Sequence, residues 1–211
     1  MRTTSYADLK SRFTSAIGVD SLLSVEETAF KNSLNDRVRQ IWTRHRWPPL
    51  TAVVSKTLAA VDTSTLKADK AVRIDNASDL YDVYDVFTKN PFEDNTARRL
   101  KFSLVNGYLV VNKDVSETTV YVTGSQVPSD DYGGATTTVP QFMDRMLLAY
   151  ACAEYYRADG QLEKAMAEEQ RAEEYFNQEV DRFQRLEQQN QIQVNTYPAY
   201  WPTMLVSQTT T

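Results

Sequence analysis

Between positions 37 and 46 the chain sets Arg37, Arg39, Arg44, His45 and Arg46 beside Trp42 and Trp47, side-chain types that grip phosphates and carboxylates. At helical spacing Arg37 and Arg44 share one face and Arg39 and Arg46 another, so the charges form two pairs and no single stripe. Two readings follow: ion pairs with acidic groups of the same or an adjacent subunit, or contact with nucleic acid. His45 is the only histidine, so an imidazole triad or metal centre would draw its other groups from elsewhere. On the apolar side of its helix it reads as a partly buried histidine.

Other residues with chemical potential are scattered. Cys152 is the only cysteine and lies in an apolar helical run, which excludes an intrachain disulfide and fits a core thiol. No metal-ligand spacing, phosphate-binding glycine loop, GxSxG elbow or HExxH occurs, and Gly133-Gly134 lacks the lysine or helix cap of a phosphate cradle. The paired carboxylates Asp130-Asp131 and Glu168-Glu169 fall in a linker and on a helix surface. A glycan hydrolase needs two carboxylates facing each other about 5 to 9.5 Å apart, and nothing in the sequence places such a pair. The expectation is no enzyme, no cofactor and no metal.

The 211 residues, 42% hydrophobic and 24% charged, suffice for one medium domain or two small ones. A net charge of -5 argues against polyanion binding by bulk charge, while leaving local basic patches. Met1 to Asp8 lacks a basic leader with an apolar core, and no window reaches about 18 consecutive apolar residues. The sequence therefore predicts synthesis in the cytoplasm and no membrane span.

The elements that position these residues follow from periodicity. Ser5 is an N-cap for a first helix carrying Tyr6, Leu9, Phe13 and Ile17, and Gly18 ends it. Ser24 and Glu27 form a capping-box signature for a second helix with Phe30, Leu34, Val38, Ile41 and His45 on one side, stopped by Trp47-Pro48-Pro49. From Leu50 to about Thr123 the period changes to two, predicting strands near Thr51 to Val61, Ala71 to Asp75, Asp82 to Phe87, Leu100 to Val105, Tyr108 to Asn112 and Thr118 to Val122. Asn106-Gly107 marks a hairpin between two of them. A third helix after Pro140 repeats Phe142, Met146, Ala149, Ala153 and Tyr156; Asp159-Gly160 turns the chain into a fourth, Gln161 to about Gln189. That helix holds eight acidic and four basic residues around Leu162, Ala165, Ala172, Phe176, Phe183 and Leu186.

The predicted fold class is α+β: an antiparallel helical bundle formed by N- and C-terminal helices, with an inserted small β domain and an extended C-terminal tail. Its parts are residues 1–49 for the N-terminal helices, 50–125 for the β domain, 126–138 for a linker, 139–190 for the helical hairpin and 191–211 for the tail. The tail has no charged residue, and Tyr197, Tyr200, Trp201 and Leu205 stand in it as large anchors for a portal or neighbouring subunit.

The order of these parts carries a resemblance. Ile41-Trp42-Thr-Arg-His-Arg-Trp47-Pro48, the β insertion, Val139-Pro140-Gln-Phe142, Leu147-Leu-Ala-Tyr-Ala-Cys-Ala-Glu-Tyr155 and Asp159-Gly160-Gln-Leu-Glu-Lys164 together resemble the head-to-tail adaptor (connector) proteins of tailed bacteriophages. With its β insertion the chain is similar to tail tubular protein A of short-tailed phages. The likeness covers nearly the whole chain, though each motif alone is an ordinary helix end or an alanine-rich helix.

The resemblance implies a structural virion protein of the neck, assembled in the host cytoplasm as a homo-oligomeric ring, typically of twelve subunits. Its partners would be the portal protein above and the next tail or nozzle component below, with double-stranded DNA passing through. It further implies a C-terminal arm docked on the portal. Glu168, Glu169, Glu173 and Glu174 then read either as a channel wall that repels DNA or as a solvated face, and Arg37, Arg39, Arg44 and Arg46 as inter-subunit ion pairs. The alternative is a DNA-binding or packaging accessory that uses the basic end of helix two and Arg98-Arg99-Leu-Lys101. A third reading gives the β domain, with Tyr81, Tyr84 and Tyr108, a protein or carbohydrate target outside the tail.

Overall fold

The computed structural model describes residues 2–206 apart from 64–65, 76–77, 113, 130 and 135–136, with side chains described as far as 188. In chain order the elements are β1 (Thr3–Ser5), α1 (Tyr6–Ile17), α2 (Ser24–Arg44), β2 (Thr51–Thr57), β3 (Ala59–Asp62), β4 (Lys67–Arg73) and β5 (Asp82–Phe87). Then follow β6 (Arg99–Leu100), β7 (Phe102–Val105), β8 (Tyr108–Val111), β9 (Thr119–Ser125), β10 (Thr138–Pro140), α3 (Asp144–Ala158) and α4 (Leu162–Val206). Two compact units result, one of residues 1–41 with 130–211 and one of residues 42–129.

In the first unit β1 and β10 pair antiparallel, Thr4 opposite Val139. Ser5 then caps α1: its hydroxyl accepts from the Asp8 N–H at 3.1 Å and donates to the Asp8 carboxylate at 2.6 Å. Gly18, at φ 78°, ends the helix by donating to Thr14. The cap of α2 sits one residue earlier than the Ser24–Glu27 signature predicts. The Leu23 carbonyl accepts the first helical bond, and Glu26 reaches back to the Leu23 N–H at 2.8 Å. Glu27 is left to pair with Lys10 at 2.5 Å.

α3 and α4 form the closely packed hairpin, with Ala149, Ala153, Ala165 and Ala172 buried and Gly160 at φ 77° in the turn. Phe142, expected in the third helix, lies in a short 3-10 turn ahead of α3 and meets Phe183 edge-on at 5.4 Å.

The expected antiparallel bundle of N- and C-terminal helices is not what the chain builds. Among the described residues it is a mixed protein of four helices and ten strands, the strands in three antiparallel sheets. α1 has only 12 residues, about 18 Å at 1.5 Å per residue, and its N-terminal end is tied into a sheet. α2 meets its neighbours through bulky groups: Phe30 stacks on Phe13 at 4.4 Å, and Arg37 reaches Glu154. Rings and guanidinium groups span a gap that small interdigitated residues would close in a bundle.

The extended tail is overturned as well. α4 continues through Val206, past Pro198 and Pro202. No glycine follows Gly160, so the left-handed stop that ends α1 and α3 has no counterpart there.

In the second unit two four-stranded antiparallel sheets form, in the orders β2-β9-β5-β6 and β3-β4-β8-β7. Both contribute to one core: Val86, Leu100, Val120 and Val122 from the first sheet meet Leu109 and Val111 from the second, with Leu58, Ile74 and Leu80 closing it. The stretch expected as one strand from Thr51 to Val61 is two: β2 pairs with β9 in one sheet and β3 with β4 in the other, with the buried Leu58 between them. Asn106 and Gly107, at φ 52° and 77°, make the β7–β8 turn; two positive φ values mark the type I′ geometry that suits strand twist. At Gly124 a Cβ would meet the Asp82 carbonyl oxygen of β5, so only glycine allows the two backbones to approach.

One buried carboxylate fastens the first unit. Asp144, at the first turn of α3, is 6% exposed, and its Oδ2 accepts from the Thr4 hydroxyl at 2.7 Å and from Arg12 at 3.1 Å. Its Oδ1 is buried and accepts no hydrogen bond among the described residues. Burial pushes its pKa up, with the Thr4 and Arg12 bonds pulling the other way.

Three outcomes follow for stability. Asp144→Ala leaves the Thr4 hydroxyl without its acceptor and Arg12 without its anion, and is expected to cost about 1–3 kcal/mol in urea unfolding near neutral pH. Because the folded pKa of Asp144 lies above its unfolded value, its contribution is most favourable below the ordinary carboxylate range. That contribution declines as pH rises towards the raised folded value. Asp144→Asn should remove this decline from the pH–stability curve; an unchanged curve would refute the assignment. Gly107→Ala, with nothing within 4 Å of the new Cβ, should cost about 1 kcal/mol through backbone strain alone, read as a lower urea midpoint.

Candidate functional site

The basic stretch from 37 to 46 divides between the two units. Arg37 belongs to the first, where its Nε and Nη2 hold Glu154 Oε1 at 3.0 and 2.9 Å and its Nη1 donates to Gln40 at 2.9 Å. Its guanidinium also lies 4.7 Å from the Tyr150 ring centre. This side chain is saturated by its own chain and serves to hold α2 on α3. Arg39 is exposed on α2.

Arg44, His45 and Arg46 belong to the second unit and line an open cavity of about 430 Å³ with Trp42, Tyr84 and Ser125. Trp42 is fixed there by its indole N–H, which donates to Ser125 Oγ at 3.0 Å and to the Gln126 carbonyl at 2.9 Å. Arg46 stacks 4.1 Å above the Tyr84 ring and pairs at 3.7 Å with Asp85, a carboxylate that also pairs with Arg99. His45 packs edge-on against the buried Trp47 at 4.8 Å. Aromatic faces and guanidinium groups in one recess suit a planar or anionic guest, but Asp85 neutralises part of the charge that phosphate would need.

The four glutamates of α4 do not present one carboxylate face. Glu168 pairs with Arg171 at 2.6 Å, and Glu169 pairs with Arg157 of α3 at 2.5 Å. Glu173 takes a short hydrogen bond from the Tyr150 hydroxyl of α3. Only Glu174 is exposed, with Gln170 donating to it at 3.2 Å. Three of the four therefore act within the hairpin, and a repelling channel wall would rest on Glu174 and on acids farther along α4.

The proposed anchors Tyr197, Tyr200, Trp201 and Leu205 lie on α4, and their side chains fall outside the described residues. Asp131 is engaged structurally: it pairs with Lys31 at 2.8 Å and accepts from the Gly133 N–H at 2.8 Å, while Asp130 lies outside the described residues. Cys152 is buried, and burial pushes its thiol up to about 11, which keeps it protonated and inert at neutral pH. No helix among the described residues is long and apolar enough to cross a membrane.

Two residues with structural consequence escaped the sequence reading. Asp144 and Tyr150 sit in what looks like an ordinary alanine-rich helix, and only the distant partners Thr4, Arg12 and Glu173 give them roles. A polar residue on an otherwise buried helix face was the available signal. No protein-family model matches the chain, and no curated protein matches it.

The Tyr150–Glu173 bond predicts its own test. Tyr150→Phe keeps the ring under Arg37 but leaves the half-buried Glu173 carboxylate without this donor. The expected loss is about 1–2 kcal/mol in urea unfolding, and an equal midpoint for the variant would show that the bond adds nothing.

Proposed function

We propose that the chain is a structural subunit of a phage head-to-tail adaptor, assembling with copies of itself into a closed ring between the portal and the next tail component. The observation that carries this reading is the disproportion of the C-terminal hairpin. α3 has 15 residues and α4 has 45, about 22 Å against about 67 Å at 1.5 Å per residue. Phe183, meeting Phe142 ahead of α3, is the last buried side chain among the described residues of α4. Beyond it the helix enters a stretch, residues 191–206, with no charged residue and with Tyr197, Tyr200, Trp201, Met204 and Leu205. A helix of that composition gains little from water and much from a protein partner. The resemblance supplies the partner's identity: the portal docks this end, and the rest of the first unit supports it.

The basic recess of the second unit supports the second reading, contact with DNA. The partial neutralisation of Arg46 by Asp85 weighs against it, since affinity for duplex DNA grows with each phosphate neutralised.

The two readings separate experimentally. Mixed with the portal of the virus that encodes it, the full-length protein is expected to form closed rings on the portal, visible by negative-stain electron microscopy. A chain ending at residue 190 should keep its far-UV spectrum and thermal midpoint yet fail to dock; docking at full strength would sink the assignment. Duplex DNA binding that falls steeply with salt and disappears in the Arg44→Ala, Arg46→Ala double variant would favour the accessory protein instead.

A further inference from the structure

Within the first unit, α1, α3 and α4 line a second, open polar cavity of about 320 Å³, which the adaptor reading does not use. One guanidinium comes from each helix: Arg12 from α1, Arg145 from α3 and Arg171 from α4. Tyr156 of α3 and Tyr175 of α4 line it as well, and so does the Glu168 carboxylate of α4. Helical spacing dictates this convergence, because Arg145, Cys152 and Tyr156 follow one face of α3, and Arg171 and Tyr175 one face of α4.

The charges are only partly spent. Arg12 gives its Nη1 to Asp144 and Arg171 gives its Nη1 to Glu168, so each keeps further N–H donors. Arg145 makes no ion pair among the described residues; its guanidinium lies 6.0 Å from the Tyr175 ring centroid and its charge reaches the half-buried Glu179 carboxylate. Tyr156 is held protonated by burial, with a pKa above the ordinary phenol range, and keeps an O–H to donate. Across the lining three guanidinium groups face one carboxylate, Glu168, so in a chain of net charge -5 the concavity keeps a local positive excess.

We propose that this cavity binds a phosphate group, held by Arg12, Arg145 and Arg171 with the Tyr156 and Tyr175 hydroxyls as further donors. Phosphate fits better than carboxylate because guanidinium forks approach from three helices. A carboxylate offers two oxygens in one plane, whereas a phosphate offers three or four arranged tetrahedrally. A small molecule and a nucleic-acid backbone both carry such a phosphate, and the chemistry at the arginines is the same. This site lies outside the adaptor reading and does not depend on it.

The test uses the full chain at constant ionic strength. Inorganic phosphate, pyrophosphate and a short blunt-ended DNA duplex are each titrated by calorimetry and by thermal shift, with sodium acetate as the carboxylate control. A saturable rise in thermal midpoint with phosphate or pyrophosphate is expected, and Arg145→Gln should weaken it about tenfold or more. Arg145 is exposed and makes no ion pair among the described residues, so the variant should fold with an unchanged circular dichroism spectrum. Arg171→Gln provides a second, independent loss. Duplex binding that weakens in the same variants identifies the backbone as the source, and binding confined to the small anions identifies a free ligand. The proposal fails if acetate acts as strongly as phosphate, if no anion saturates, or if both variants bind as the parent does.

Discussion

The Asp144 carboxylate holds together what the chain order separates. Thr4 and Arg12 lie 140 and 132 residues before it, yet both donate to its Oδ2. Beside it, β1 and β10 close a two-stranded sheet and the Gln141 N–H donates to Arg2, so the start of the chain and the start of α3 are bound twice. A two-stranded sheet of three-residue strands has little stability by itself. A charge-assisted bond from Arg12 and a hydroxyl bond from Thr4 stabilise that junction, and the N-terminal end of α3 adds a favourable dipole for the carboxylate. α1 follows β1 directly, so this junction fixes its start, and the stacking of Phe13 on Phe30 and its edge contact with Tyr155 at 6.0 Å depend on where α1 lies.

The hairpin solves a related problem with polar groups at its seam. Small residues let α3 and α4 approach closely, and the gaps at the edges are filled by Tyr150 with Glu173 and by Arg157 with Glu169. The exposed pair adds little; the half-buried one fixes the register of one helix on the other. This accounts for acids that sequence patterning would assign to solvent: a carboxylate facing a buried tyrosine hydroxyl costs less to desolvate than one facing only apolar groups.

What the sequence revealed was local. Ser5 with Asp8, Gly18, Asn106-Gly107 and Asp159-Gly160 each act through bonds within a few residues, and the structure puts turns and caps at all four. The second cap was misplaced by one residue because Glu26 and Glu27 are chemically equivalent in sequence, and only Lys10, reaching across from α1, distinguishes them. β1 and β10 were missed because three residues carry no readable period and their pairing spans most of the chain. The bundle failed as an expectation for a like reason: amphipathic stripes show that helices are covered, not what covers them. At the candidate sites the residue types were visible, but their commitments were not. Arg37 is spent on Glu154, 117 residues away, and Arg46 on Tyr84 and Asp85.

The end of α4 poses the sharpest energetic question. Proline within a helix costs about 3 kcal/mol, since it removes a backbone bond and clashes with the preceding turn, and this helix passes two, Pro198 and Pro202. Fully burying a large apolar side chain returns about 1.5–3 kcal/mol. In water the helical form of this segment would therefore run at a loss, because it has no ion pairs of its own to offset the prolines. Burial of two or three of Tyr197, Trp201, Met204 and Leu205 against another protein would bring the sum near balance, and the same prolines would stiffen whatever conformation the partner accepts. Helix formation at this end and docking are thus coupled by arithmetic: the segment becomes favourable as a helix where something covers it.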